Sequence, residues 1–246
     1  MTLGTPTRDT ILQHHTHTTG RTRTMKRIHK AILLLLVGLL SLPALASCGE
    51  TADSLLQKGN DLMEAGEYAE AAQTFEKALE LEPDNVETLT KLGMAHYKLV
   101  QLDQAIEAYT KALALKPDDV SVMSNLGVAY YRFGRLDNAI EIYNQAIAVA
   151  PDDADIHSNL AAAYVQKYQP DGPTDYLDMA LEQYDKAVEL QPDLAQAHYG
   201  RGAVYFLLKQ WDEAIAAFEK FQEMDTGTDP EATESAQKIL DQLRGQ

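Results

Sequence analysis

The sequence predicts an all-α fold, a solenoid of five helix-turn-helix units closed by one further helix. Three observations carry this. Pro83, Pro117 and Pro151 recur at intervals of 34 residues, and Pro192 follows at 41. Small residues keep the same beat at Gly59, Gly93, Gly127, Ala161 and Gly202, and again at Ala71, Ala105, Ala139, Ala180 and Ala214. Aromatic residues do so at Phe75, Tyr109, Tyr143, Tyr184 and Phe218. Self-similarity at such a period marks a repeat architecture, in which each unit buries its apolar face only against its neighbours.

Taken in order, the chain opens with a segment unlike the rest. Residues 1–24 are rich in Thr and His, with Asp9 as the one acid. The basic cluster Met25-Lys26-Arg27-Ile28-His29-Lys30 follows, then the apolar run Ala31 to Leu42, then Pro43 to Cys48. A basic start, a short apolar core and small residues at the end make the plan of a secretory signal. The run is short for a membrane span, which needs about 20 apolar residues. An uncleaved anchor is the alternative. Leu45-Ala46-Ser47-Cys48 resembles the lipobox of bacterial lipoproteins, and Cys48 is the one cysteine of the chain. The resemblance implies that the Cys48 thiol takes a diacylglycerol, that residues 25–47 are cut away as a signal peptide, and that the new amino terminus is acylated. Residues 1–24 are then either a mis-assigned start ahead of Met25 or a genuine leader. Residues 48–51 become the lipidated Cys with almost no tether.

The five units span 52–85, 86–119, 120–153, 154–194 and 195–228. Proline near the end of each stops its second helix. The acids after it, as in Pro117-Asp118-Asp119, suit the cap of the next helix. Ala161 to Ala180 is a spacing of 19 where Gly127 to Ala139 is 12, so the fourth unit carries seven extra residues, placed at Gln169-Pro170-Asp171-Gly172-Pro173-Thr174-Asp175. That loop is either a partner contact or a tolerated insertion. Residues 229–246 form the closing helix. Asp229 and Pro230 start it, and Ala236, Ile239, Leu240 and Leu243 make its apolar stripe.

These positions resemble the tetratricopeptide repeat, a helix-turn-helix of 34 residues. The resemblance implies a right-handed superhelix whose first helices, helices A, line a concave face that takes an extended or helical peptide. The face uses the second, fifth, sixth, ninth, twelfth and thirteenth places of each unit. On this chain the sixth place gives Lys91, Asn125 and Asn159 in the second to fourth units, the ninth gives Met94 and Val128, and the twelfth gives Tyr97 and Tyr131. An amide both donates and accepts, so Asn125 and Asn159 suit the backbone of a peptide of any sequence. Tyr97 and Tyr131 serve groove and core readings equally. The family's clamp for a terminal carboxylate does not form, because Leu56 with Asn60, Lys91, and Ser121 with Asn125 supply the wrong residues.

Composition bounds the function. Lys+Arg number 21 against Asp+Glu 37, a net charge of −16, which argues against nucleic acid. Beyond residue 47, 15 bases face 36 acids in 199 residues, so anionic headgroups repel this part and any membrane attachment falls to the lipid. His96, His157 and His198 sit at repeat packing positions, with no nucleophile beside a base, no glycine-rich phosphate loop and no metal-ligand cluster. The expectation is a lipid-anchored protein on the outer side of the cytoplasmic membrane or on the outer membrane, binding a protein or peptide as adaptor or scaffold. No enzyme activity, cofactor, metal or small-molecule substrate is expected. A self-assembling structural array is the alternative.

Overall fold

The computed structural model describes residues 50–224, 227 and 229–245. The leader 1–24, the signal 25–47 and Cys48 lie outside these residues. Among the described residues there are eleven α-helices and no strand. They pair as α1 (Ala52–Glu64) with α2 (Tyr68–Leu81), α3 (Val86–Lys98) with α4 (Leu102–Leu115), and α5 (Val120–Phe133) with α6 (Leu136–Val149). Next come α7 (Ala154–Lys167) with α8 (Asp175–Leu190), α9 (Ala195–Leu207) with α10 (Trp211–Met224), and α11 (Pro230–Arg244) alone.

Side-chain caps set the start of the first helix in four of the units. Thr51 and Ser54 form a reciprocal capping box on α1, with Thr51 N–H donating to Ser54 Oγ at 2.8 Å and Ser54 N–H to Thr51 Oγ1 at 3.1 Å. Asn85, Asp119 and Asp153 cap α3, α5 and α7, accepting from the backbone N–H three residues on. The cap is thus the second residue after each proline. The fifth unit departs from this. Leu194 holds the cap position of α9, so Asp193 caps nothing and no side chain closes that start.

One turn joins the two helices in four of the units. The backbone N–H of Glu67, Gln101, Arg135 and Gln210 each reaches the carbonyl five residues back at 2.9 Å. That closure requires left-handed backbone at the preceding residue. Gly66 and Gly134 meet it at φ 79° and 80°, while Val100 and Lys209 are held at φ 60°. In the fourth unit the residues from Tyr168 to Thr174 replace this turn.

The core repeats with the sequence. A Cβ added to Gly59, Gly93, Gly127 or Gly202 would lie under 3.0 Å from the ring of Phe75, Tyr109, Tyr143 or Phe218 respectively. Those four rings are at most 2% exposed. Helices A of consecutive units touch one another, whereas helices B meet mainly their own and the following helix A. The array therefore curves with helices A inside and helices B outside. At its end α11 buries Ala236 and Leu240 against Ala214, Phe218 and Phe221 of α10, with Ile239 and Leu243 half-buried beside them.

Candidate functional site

The concave face is built by α1, α3, α5, α7 and α9, and it holds two hollows. The first, about 220 Å³, lies between α3 and α5 and is lined by Met94, Tyr97, Lys98, Tyr109, Asn125 and Val128. Helical periodicity puts Lys91, Met94 and Lys98 on one face of α3. The Arg132 guanidinium stands 5.0 Å from the centre of the Tyr97 ring, a cation–π contact. Neither Lys91, Lys98 nor Arg132 forms an ion pair among the described residues.

The second hollow, about 730 Å³, is larger and lies further along the array. Tyr131 of α5, Ala162 and Val165 of α7, Tyr184 of α8, Tyr199, Gly200 and Ala203 of α9, and Phe221 of α10 surround it. Asp229 and Ala232, at the start of α11, complete the wall. Tyr199 packs edge-on to Phe221 with ring centres 5.3 Å apart, and its hydroxyl donates to Ser235 Oγ at 3.2 Å. Burial pushes the phenols of Tyr131 and Tyr184 above the usual tyrosine range, so both stay neutral hydroxyls at any physiological pH.

Met94, Tyr97, Asn125 and Val128 thus share one hollow, and Tyr131 lines the other. Asn159 and Lys91 are half-buried on their helices and line neither hollow. The two asparagines are not brought into one cavity. Tyr184, Phe221 and the start of α11 line the larger hollow without being among the places expected to face the groove, whereas Tyr199 and Gly200 hold the fifth and sixth places. The available signal was Gly200 itself, at the sixth place where the preceding units carry Gln57, Lys91, Asn125 and Asn159.

The three histidines serve the packing. His157 Nε2 donates to the Pro151 carbonyl at 2.9 Å while its Nδ1 lies 2.7 Å from the Gln183 amide oxygen. His198 Nε2 likewise donates to the Pro192 carbonyl at 2.9 Å. His96 Nδ1 lies 2.7 Å from Gln101 Oε1. Among the described residues no group of three or more His, Cys, Asp and Glu is placed to hold a metal ion, and no helix is long and apolar enough to cross a membrane. A third hollow, about 780 Å³, opens on the outer side between α2 and α4, where Leu89 and Leu92 of α3 lie beneath Glu76, Glu80 and Glu107.

Models of the tetratricopeptide repeat match residues 56–120, 90–155 and 124–172, then 177–209 as TPR repeat, and 195–227. No curated protein matches the chain. Among solved structures, a crystal structure of MamA protein is 27% identical, with 73% of this chain and 94% of that one covered and a TM-score of 0.62. MamA from Desulfovibrio magneticus RS-1 is 22% identical over 74% of this chain and 99% of that one, with a TM-score of 0.65. YrrB, described as a TPR protein with an unusual peptide-binding site, is 19% identical over 79% of this chain and 96% of that one, with a TM-score of 0.60.

Proposed function

The chain belongs to the tetratricopeptide repeat family, and from that premise we propose that it is a lipid-anchored adaptor that binds a protein or peptide partner along its concave face in the cell envelope. The observation that carries the binding reading is the row of hollows on helices A. Open aromatic and small side chains line them, and at the first hollow stand Lys98 and Arg132, which form no ion pair among the described residues. A groove of this composition offers apolar contact and backbone-pairing amides to an extended segment, and energy at such surfaces concentrates on a few aromatic and arginine contacts. The anchor reading is supported by the sequence, in which Cys48 closes a basic, apolar and small-residue signal.

Two measurements test the two halves. Metabolic labelling with a radioactive fatty acid should mark the wild-type chain and leave Cys48→Ala unlabelled; label retained by the variant removes the anchor. Affinity capture of envelope proteins on the full chain should yield a partner whose binding drops at least several-fold in Asn125→Ala with Asn159→Ala while helicity holds. A partner indifferent to that pair and lost on Glu107→Lys binds the outer side instead.

A further inference from the structure

We infer that the groove selects a partner segment of two-part chemistry, with a bulky uncharged side chain seated between α7, α9 and α11, and a carboxylate a few residues away over the bases of α3 and α5. The inference rests on the concave-groove reading above and names what that groove takes.

Small residues and aromatic rings shape the larger hollow. Ala162, Gly200 and Ala203 present at most a methyl group where two helices A face the groove, and the rings of Tyr184, Tyr199 and Phe221 stand around the space. Among the described residues its one charged lining group is Asp229. That carboxylate is already engaged, since Oδ1 accepts the Ala232 N–H at 3.0 Å as the cap of α11. An acidic side chain entering here would meet an acid and no base. A lysine would give up its hydration among aromatic rings for a single exposed carboxylate, a pairing worth little in water. An aliphatic or aromatic side chain loses nothing and buries apolar surface.

The charge lies at the other end. Of the 15 Lys and Arg beyond residue 47, nine form ion pairs. Among the described residues the other six do not, and Lys91 and Lys98 of α3 and Arg132 of α5 are three of them. Lys98 shares the small hollow with Tyr97, and the Arg132 guanidinium lies over the Tyr97 ring. In a chain of net charge −16, these bases without an ion pair among the described residues favour an anion here. The two places meet at consecutive residues, because Tyr131 lines the larger hollow and Arg132 is one of these bases. One short extended segment can therefore fill both. The acid steers and orients it, and the apolar anchor sets how long it stays.

The test is selection from a random library of displayed peptides of about a dozen residues on the full chain, followed by fluorescence anisotropy with synthetic copies of the winners. Selected peptides should share an Asp or Glu within a few residues of a Leu, Phe or Trp. Replacing the apolar residue by Ser should weaken binding about tenfold or more, as should filling the hollow with Ala203→Leu, and the two changes together should cost little more than either alone. Lys98→Glu with Arg132→Glu should weaken acidic peptides and spare copies in which the acid is made neutral. If Ala203→Leu lowers the melting point, Ala162→Leu fills the hollow from α7, and the peptide substitutions need no variant protein. Peptides that lose binding to Asn125→Ala with Asn159→Ala yet show neither preference overturn this inference and leave the groove reading standing. A library that yields no binder, or binders moved only by outer-side changes such as Glu76→Lys, removes both.

Discussion

Tyr184 of α8 leans on Gly200 of α9, in the next unit: a Cβ at Gly200 would lie 2.2 Å from the Tyr184 Cζ and 2.5 Å from its hydroxyl oxygen. In the first, second, third and fifth units the equivalent ring rests on the glycine at the eighth place of its own unit. The fourth unit has Ala161 there, and the open contact is found one unit later. Gly200→Ala should drive this 5%-exposed ring out of place and cost about 1–3 kcal/mol by overpacking. Urea unfolding measures it, and an unchanged midpoint would show that the ring has room to turn aside.

Val100 is a β-branched residue held at φ 60° in a turn where two other units use glycine, and its side chain is 61% exposed, so little packing is lost with it. Left-handed backbone costs a residue with a Cβ roughly 1–2 kcal/mol. Val100→Gly should recover about 1 kcal/mol of that strain, net of the added freedom of the unfolded chain. A rise in melting temperature is the expected result, and a fall would mean that the valine makes up its strain through contacts.

Asp119 caps α5 by accepting from Val122 N–H at 3.2 Å and pairs with Lys116 at 2.9 Å. The Lys116 ammonium, helped by the Val122 N–H, holds the Asp119 carboxyl below the usual aspartate range. A lowered folded pKa means stability that is fully present above the ordinary aspartate value of about 4 and lost as pH falls through the lower folded value. Asp119→Ala should therefore cost about 1 kcal/mol near neutral pH, mostly as a lost cap. The gap between wild type and variant should narrow on acidification below about pH 4. Melting curves across that range check both the size and the sign.

Ala139 is fully buried at the twentieth place of the third unit, in the same cluster as Tyr143. Ala139→Leu should overpack the α5–α6 contact by about 1–3 kcal/mol while leaving the circular dichroism spectrum helical. Calorimetry reads the loss. A variant that melts with the wild type would put this residue off the helix contact.

The fold was legible because one packing rule is written five times. Proline ends, small residues at two places and an aromatic at a third each recur, and Gly93 against Tyr109 or Gly127 against Tyr143 is that rule in coordinates. The residues of the first hollow could be named by counting places, since Met94 and Val128 hold the ninth place of adjacent units and Tyr97 and Asn125 the twelfth and the sixth. The larger hollow was not legible in this way. It depends on the Tyr184 ring seated over Gly200, on the small Ala162 and Ala203, and on lining drawn from as far apart as Tyr131 of α5 and Ala232 of α11. Counting places within a unit registers what stands at each one and is blind to space shared among several units. The general pattern of acids after proline fails at α9, where Asp193 follows Pro192 but the residue at the capping position is Leu194.

The histidines that tie a helix to the proline carbonyl before it have a mechanical consequence. His157 and His198 rivet the third joint and the fourth, where Lys167 to Asp137 and Arg201 to Asp185 add a second fastening, and Arg135 to Asp103 spans the second joint. At the first joint the side-chain hydrogen bonds, Thr88 Oγ1 to Asn85 at 3.0 Å and Asn85 to Glu82 at 3.2 Å, stay within the connecting turn and its cap. Among the described residues no side-chain hydrogen bond or ion pair ties α1 or α2 to α3 or α4, where residues such as Ala72, Phe75, Leu92 and Ala108 pack. Apolar contact slides where a hydrogen bond must break. A pull entering the array ahead of Thr51 is therefore taken up by peeling α1 and α2 away, as a fuse would yield, before the load reaches the hollows.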